Sequence, residues 1–180
     1  MKRKKSLIIL LVLLLLVPTI LLIFGGNNMR PQRALNDFSR LIEQGRVSEL
    51  RLTIYFMSSS ILATPFPLSL DDLINGRYEY KIFVDGSSLE EHVDLLNQIS
   101  DVTLIRMNLG TRIDARIYYV FETEGNRRIF DFAMWATNDT VFINGVEVKA
   151  NEIFHDIIMP FLPEDAAQEL RELQEILRQG

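Results

Sequence analysis

The chain has 180 residues, with 24 acidic and 19 basic side chains, a formal net charge of −5 and no cysteine. The missing cysteines exclude a disulfide-stabilised fold and attachment as a lipoprotein through an N-terminal cysteine. The acidic balance argues against a nucleic-acid partner, because a phosphate backbone is bound by a cationic face. The length suffices for one domain with a hydrophobic core.

An apolar segment runs from Leu7 to Phe24 and follows a cluster of four basic residues, Lys2 to Lys5. A helix of this length measures about 27 Å, close to the hydrocarbon thickness of a bilayer. The sequence therefore predicts a single transmembrane signal anchor over 7–24, with the basic segment 1–6 in the cytoplasm. A cleaved signal peptide is the alternative, but the residues before Gly25 and Gly26 suit signal peptidase poorly.

The part beyond the span is expected outside the cytoplasm, as a short linker over 25–30 and a single domain over 31–180. It carries 15 basic and 24 acidic residues, a formal charge of −9. A core without disulfides in an exported domain is typical of the bacterial cell envelope. We therefore expect a single-pass membrane protein whose domain faces the envelope, with the cell membrane as its one membrane partner.

Apolar periodicity in the first half of this domain alternates between helical and strand patterns. It predicts a helix from Pro31 to Arg46, a strand from Leu50 to Phe56, a loop from Ser58 to Pro67, a helical turn from Leu70 to Ile74 and a strand from Tyr78 to Val84. Ser88 and Glu91 have the spacing of a capping box, which predicts a helix from Leu89 to about Ile99.

The second half of the domain contains two hairpin signals. Gly125-Asn126 suits a two-residue turn, which pairs residues whose numbers sum to 251, and Asn144-Gly145 is the stronger turn signal. The first register places Phe121 opposite Phe130 and Tyr119 opposite Phe132 on one apolar face. Two helices, Asn151 to Met159 and Pro163 to Arg178, complete the pattern. The fold class predicted is α+β, a mainly antiparallel β-meander sheet with helices packed on one face.

The same register gives the long hairpin a second, amphipathic face. It sets Arg116 opposite Trp135, Tyr118 opposite Ala133 and Val120 opposite Asp131. Aromatic and arginine side chains are enriched at binding hot spots, and a guanidinium can stack on tryptophan. The sequence therefore suggests a ligand-binding strip, and the alternative is that helices cover this face. The candidate residues are Arg112, Asp114, Arg116, Tyr118, Asp131 and Trp135.

The two histidines are the candidates for chemistry near neutral pH. His92 is placed on the apolar arc of its predicted helix, facing the core or a cleft beside it. Glu152, His155 and Asp156 are placed on the polar side of theirs, where the spacing could supply two metal ligands, a weak signal because it is not repeated. We expect no metal site, no cofactor and no catalytic residue, since no hydrolase, phosphate-loop or dinucleotide motif occurs.

The leading hypothesis is a membrane-anchored binding domain without catalytic activity, whose ligand is a protein, a peptide or an envelope component. Two alternatives stay open. One is an envelope hydrolase that uses His92 with an Asp or Ser brought close by the fold. The other is an accessory subunit that docks onto a larger membrane complex through its span and juxtamembrane helix.

Overall fold

The computed structural model describes residues 31–58, 68–110, 114–134 and 140–179. No helix within these ranges combines the length and apolar character needed to cross a bilayer. The predicted span over 7–24 and its flanks 1–6 and 25–30 lie outside the described residues, as does most of the predicted loop before Leu68.

The fold is α+β, with one sheet of six strands, all paired antiparallel in the order β2-β1-β3-β4-β5-β6. The strands are β1 Leu50–Phe56, β2 Tyr80–Val84, β3 Ile117–Thr123, β4 Arg128–Met134, β5 Thr140–Ile143 and β6 Val146–Lys149. The helices are α1 over 31–43, α2 Leu70–Ile74, α3 Gly86–Glu90, α4 Val93–Asn97, α5 Ile153–Asp156 and α6 Glu164–Gln179. Short 3-10 turns cover Val47–Glu49, Gln98–Asp101 and Met159–Phe161.

The register of the β3–β4 hairpin confirms the prediction along most of its length, since every pair from Ile117 to Phe121 sums to 251. The predicted two-residue turn is wrong. The amide of Asn126 donates to the carbonyl of Thr123 and Asn126 has φ 57°, so the loop holds three residues and ends in a left-handed one. The register shift beside Phe121 leaves Ile129 as an extra residue in β4, and this bulge restores the predicted pairing.

The second hairpin turn is confirmed. Asn144 and Gly145 have φ of 49° and 73°, so both central residues adopt the left-handed conformation that a type I′ turn requires. Ile143 pairs with Val146 immediately outside this turn. The local sequence therefore determines the β5–β6 connection.

The predicted helix from Leu89 to Ile99 is wrong in its start and in its continuity. Asp85, rather than Ser88, caps α3, because its carboxylate accepts the amide of Ser88 at 2.9 Å. The helix then begins at Gly86, where a Cβ would clash with the backbone of Ser48. After Glu90 the chain turns and resumes as α4, with His92 at its N-cap. The helix therefore starts three residues before the predicted Leu89, because Asp85 caps it in place of Ser88 and Gly86 fits closely against the backbone of Ser48.

The main core lies on one face of the sheet, which we call the main face. Phe38 of α1 packs on Phe121 and Phe130, with ring centroids 4.7 and 5.1 Å apart. Phe154 of α5 packs on Phe132 at 4.8 Å. Leucines of α3, α4 and α6 join the same cluster, so five of the six helices contribute to this side of the sheet.

The opposite face, which we call the second face, carries a smaller apolar cluster, and this corrects the expectation that helices pack on one face only. Leu73 of α2 is fully buried in that cluster together with Tyr55, Tyr118 and Ala133 of the sheet. The short helix α2 and its flanks therefore cover one end of the second face.

Candidate functional site

The predicted ligand-binding strip lies on the second face, but three of its four described members are buried and the fourth, Asp114, is half-buried. Arg116, Tyr118 and Asp131 are 3 %, 3 % and 6 % exposed. Arg112 and Trp135 lie outside the described residues, so the predicted stacking of Arg116 on Trp135 stays a prediction. The burial of these three side chains fits the alternative, in which the face is covered. Their binding of a ligand stays a prediction.

Asp114, with Arg116 beside it, connects the segment that begins α2 to the residues just before β3. The carboxylate of Asp114 accepts the amide of Leu68 at 2.8 Å, just before α2 begins, and lies 3.6 Å from the Arg116 guanidinium. The amide of Ala115 donates to the carbonyl of Leu68 at 3.0 Å. The bond from the Leu68 amide joins residues 46 apart in the chain, so Asp114 and Ala115 hold the segment before α2 in place, and Arg116 lies beside the Asp114 carboxylate.

Tyr118 and Asp131 are buried polar groups in the middle of the second face. Burial, with the nearby Asp131 carboxylate as the next cause, raises the pKa of Tyr118 to about 12. Burial also raises the pKa of Asp131, against the opposing effect of Arg128, whose guanidinium lies 2.6 Å from it. The Tyr118 phenol stays protonated to high pH and the Asp131 carboxylate is paired with Arg128. Both properties suit polar groups that support the fold.

The open part of the second face lies at the other end, along the edge strand β2. Phe83 is 71 % exposed, the highest value among the exposed large apolar residues of the described chain. The ammonium of Lys81 lies 5.0 Å from the ring centroids of both Phe83 and Tyr55. Lys81 forms no ion pair with a described residue. An exposed aromatic ring therefore lies next to a cation that has no carboxylate partner among the described residues.

A shallow groove of about 490 Å³ adjoins Phe83 and crosses the ends of β2, β1 and β3. Thr53 and Arg51 of β1 and Glu122 of β3 contribute its polar lining. Its mixed polar and aromatic lining suits a peptide or protein segment better than a buried small molecule.

The backbone of β2 is also open on its outer side. The amide of Met57 donates to the carbonyl of Arg116, so odd-numbered residues of β1 bond to β3 and even-numbered ones to β2. Because Ile82 is opposite Ile54, the peptide groups of Ile82 point to β1, and those of Lys81 and Phe83 point to the outer edge. No described strand pairs with that edge.

The other edge of the sheet is covered. The segment beside β6 forms an isolated bridge between Arg106 and Val148, and the amide of Lys149 donates to the carbonyl of Ile105 at 2.8 Å. The amide of Met107 donates to the carbonyl of Glu147 at 3.0 Å. Of the two edges, β2 alone offers an unoccupied strand in the described part of the chain.

His92, the residue of the hydrolase alternative, is half-buried, and its ring packs edge-on against Phe161 at 5.0 Å. Within the described residues its imidazole makes no hydrogen bond or ion pair with a hydroxyl or a carboxylate. The ring therefore has an aromatic neighbour rather than the oriented partner that a general base needs.

The placement of His155 on a polar helix face is wrong, since the side chain is 4 % exposed. The element is only Ile153–Asp156, followed by a turn, so the 100° spacing of a long helix does not apply. Both ring nitrogens lack a hydrogen-bond partner among the described residues, and burial lowers the pKa to about 4. No group of three potential metal ligands occurs in the described part of the chain.

Sequence reasoning missed Phe83 and Lys81, although the signal was present. Tyr80, Ile82 and Val84 alternate with Lys81 and Phe83 in β2, so the register places an aromatic ring on the polar side of an edge strand. An aromatic residue out of phase with the core pattern indicates an exposed apolar site. No protein-family model, no curated protein and no solved structure matches this chain, so the argument for function rests on these residues.

Proposed function

We propose that the chain is a membrane-anchored, extracytoplasmic binding domain without catalytic activity, whose partner is an extended protein segment that adds to β2. The observation that supports it best is the outer edge of β2, with which no described strand pairs, and the exposed ring of Phe83 beside it. Addition of a strand to a sheet edge is a common mode of peptide recognition, in which main-chain bonds give affinity and side-chain contacts give specificity.

The tether is supported by the sequence. The apolar run over 7–24 follows four basic residues, and the domain begins a few residues beyond it. Resistance of the full-length chain to alkaline carbonate extraction, with the domain digested by protease added to spheroplasts, is the expected result. A chain released by carbonate, or a shortened N-terminus found by sequencing, would contradict the anchor.

Specificity is proposed to come from the side chains next to the open backbone. A bound strand would set an apolar or aromatic side chain against Phe83 and an acidic one against Lys81, because these two residues share the second face. An acidic partner would complete the ion pair that Lys81 lacks within the described residues. The expected ligand is thus an extended segment with an apolar or aromatic residue and an acidic residue two positions apart, so that both face the same side.

Co-purification of the full-length chain from gently solubilised membranes tests this proposal. We expect a partner that is retained by the wild type and lost with Phe83→Ser and with Lys81→Glu. Leu109→Ser is the matched control, since Leu109 is 66 % exposed but lies near the covered β6 edge. An acid-to-lysine change in the partner should restore binding to the Lys81→Glu variant. Equal retention by all three variants would overturn the proposal.

A further inference from the structure

We propose that a second site, a groove between α1 and the β3–β4 loop, binds a doubly charged oxyanion on a small organic molecule. The groove has a volume of about 400 Å³ and is lined by four arginines, two apolar side chains, one carboxylate and one amide. The arginines are Arg40, Arg46, Arg127 and Arg128, and the other lining residues are Leu41, Ile129, Asp37 and Gln44. We call it the arginine groove.

The domain is acidic, so this concentration of cations is unusual for it. Four of the 15 basic residues beyond residue 24 line one groove, against 24 acidic residues in the same part of the chain. Arginine presents its donors in a planar fork that matches carboxylate and phosphate oxygens in pairs, and a lysine ammonium does not. The composition of the groove is therefore that of an oxyanion site.

The helix dipole accounts for the position of only two of the four arginines. Arg40 and Arg46 lie in and just after the last turn of α1, where cations stabilise the negative helix end. Arg127 and Arg128 come from the hairpin loop and the start of β4, outside that helix. The bulge at Ile129 lies directly beside them, and bulges characteristically redirect neighbouring side chains. Two separate elements thus direct cations into one space.

Intramolecular ion pairs leave two of the four guanidiniums available. Arg46 binds both carboxylate oxygens of Glu49 at 2.8 and 2.6 Å, and Arg128 binds Asp131 at 2.6 Å. Arg40 has a single contact of 3.6 Å to Asp37, and both side chains are more than half exposed. Arg127 makes no ion pair with a described residue. A ligand with two negative charges would match Arg40 and Arg127.

The floor of the groove defines the rest of the ligand. Leu41 is buried and Ile129 is half-buried, and both side chains line the groove. A small apolar body attached to the charged group would rest on these side chains. Phosphate monoesters and dicarboxylates share this chemistry.

Isothermal titration calorimetry of the full-length chain in a nonionic detergent tests the site with phenyl phosphate, phthalate and neutral benzyl alcohol. We expect heat of binding with phenyl phosphate or phthalate, whichever carries the matching oxyanion, and none with the alcohol. Arg40→Gln and Arg127→Gln should each raise the dissociation constant about tenfold, the loss of affinity typical of removing one charge-assisted hydrogen bond.

The control variants are Arg77→Gln and Arg171→Gln, which remove the same charge from exposed ion pairs with Asp72 and Glu164. They should change affinity less than about twofold, since distant surface charges are screened. The proposal would be overturned if neither anion bound, or if the control variants lost as much affinity as Arg40→Gln and Arg127→Gln. The β2 edge is untouched by these substitutions, so this result and the partner experiment fail independently.

Discussion

The two faces of the sheet are formed by the same strands but differ in how completely their side chains are buried. On the main face, pairs such as Tyr119 and Phe132, whose rings stack at 4.9 Å, are fully buried under helices. On the second face, charged and phenolic groups are buried on the central strands, and Phe83 is exposed on the edge strand β2. We infer that stability is concentrated on the main face, and that the open end of the second face is left for binding.

The largest expected effect comes from truncating the main face. Phe132→Ala should lower the free energy of unfolding by about 3 to 5 kcal/mol, because the ring packs on Tyr119 and Phe154 and leaves a cavity. Phe142→Ala, on the neighbouring strand but half-buried on the second face, should cost no more than about 2 kcal/mol. Urea denaturation measures both, and equal losses would contradict the division between the faces.

A second prediction concerns His155, whose ring nitrogens lack a hydrogen-bond partner within the described residues. Its folded pKa of about 4 is below the usual 6.5, so the unfolded chain takes up the proton first as the pH falls. Stability should be intact above about pH 6.5 and decline by up to about 3 kcal/mol on acidification to about pH 4. His155→Leu should remove this part of the pH dependence.

The same variant should also be more stable than the wild type at pH 7, by about 1 to 3 kcal/mol, because it removes two buried nitrogens that have no hydrogen-bond partner in the described part of the chain. The stability of the wild type and of His155→Leu is compared at pH 7 and at pH 5. Thermal unfolding at the two pH values would contradict the account if wild type and His155→Leu lost stability in parallel.

A smaller effect is expected from the link that holds the α2 segment. Asp114→Ala removes the acceptor of the Leu68 amide and the carboxylate beside Arg116, and should cost about 1 to 3 kcal/mol. Amide exchange should rise in α2 before it rises in β3 or β4. Asp71→Ala, an exposed carboxylate within α2, should change exchange little.

These contrasts also show what could be read from the sequence. The β3–β4 register was predictable because period-two aromatic pairs fix it, and a slip by one residue would expose every ring. The break between α3 and α4 was not, since two candidate caps, Asp85 and Ser88, compete over three residues. The bond from the Leu68 amide to Asp114, which lies beside Arg116, joins residues 46 apart in the chain, and no local pattern encodes it.

The smallest expected effect on folding comes at the proposed binding edge. Phe83→Ser and Leu109→Ser should each change the free energy of unfolding by less than about 0.5 kcal/mol, because both side chains are mostly exposed. A large loss for Phe83→Ser would mean that the ring contributes to the fold.

Photocrosslinking in intact membranes tests the central claim most directly. A photoreactive phenylalanine placed at Phe83 in the full-length chain should yield a discrete adduct, one that the additional change Lys81→Glu abolishes. The same probe at Leu109, near the covered edge, should not yield that adduct. The absence of an adduct at Phe83, or the same adduct from both positions, would contradict the division between a folding face and a binding edge.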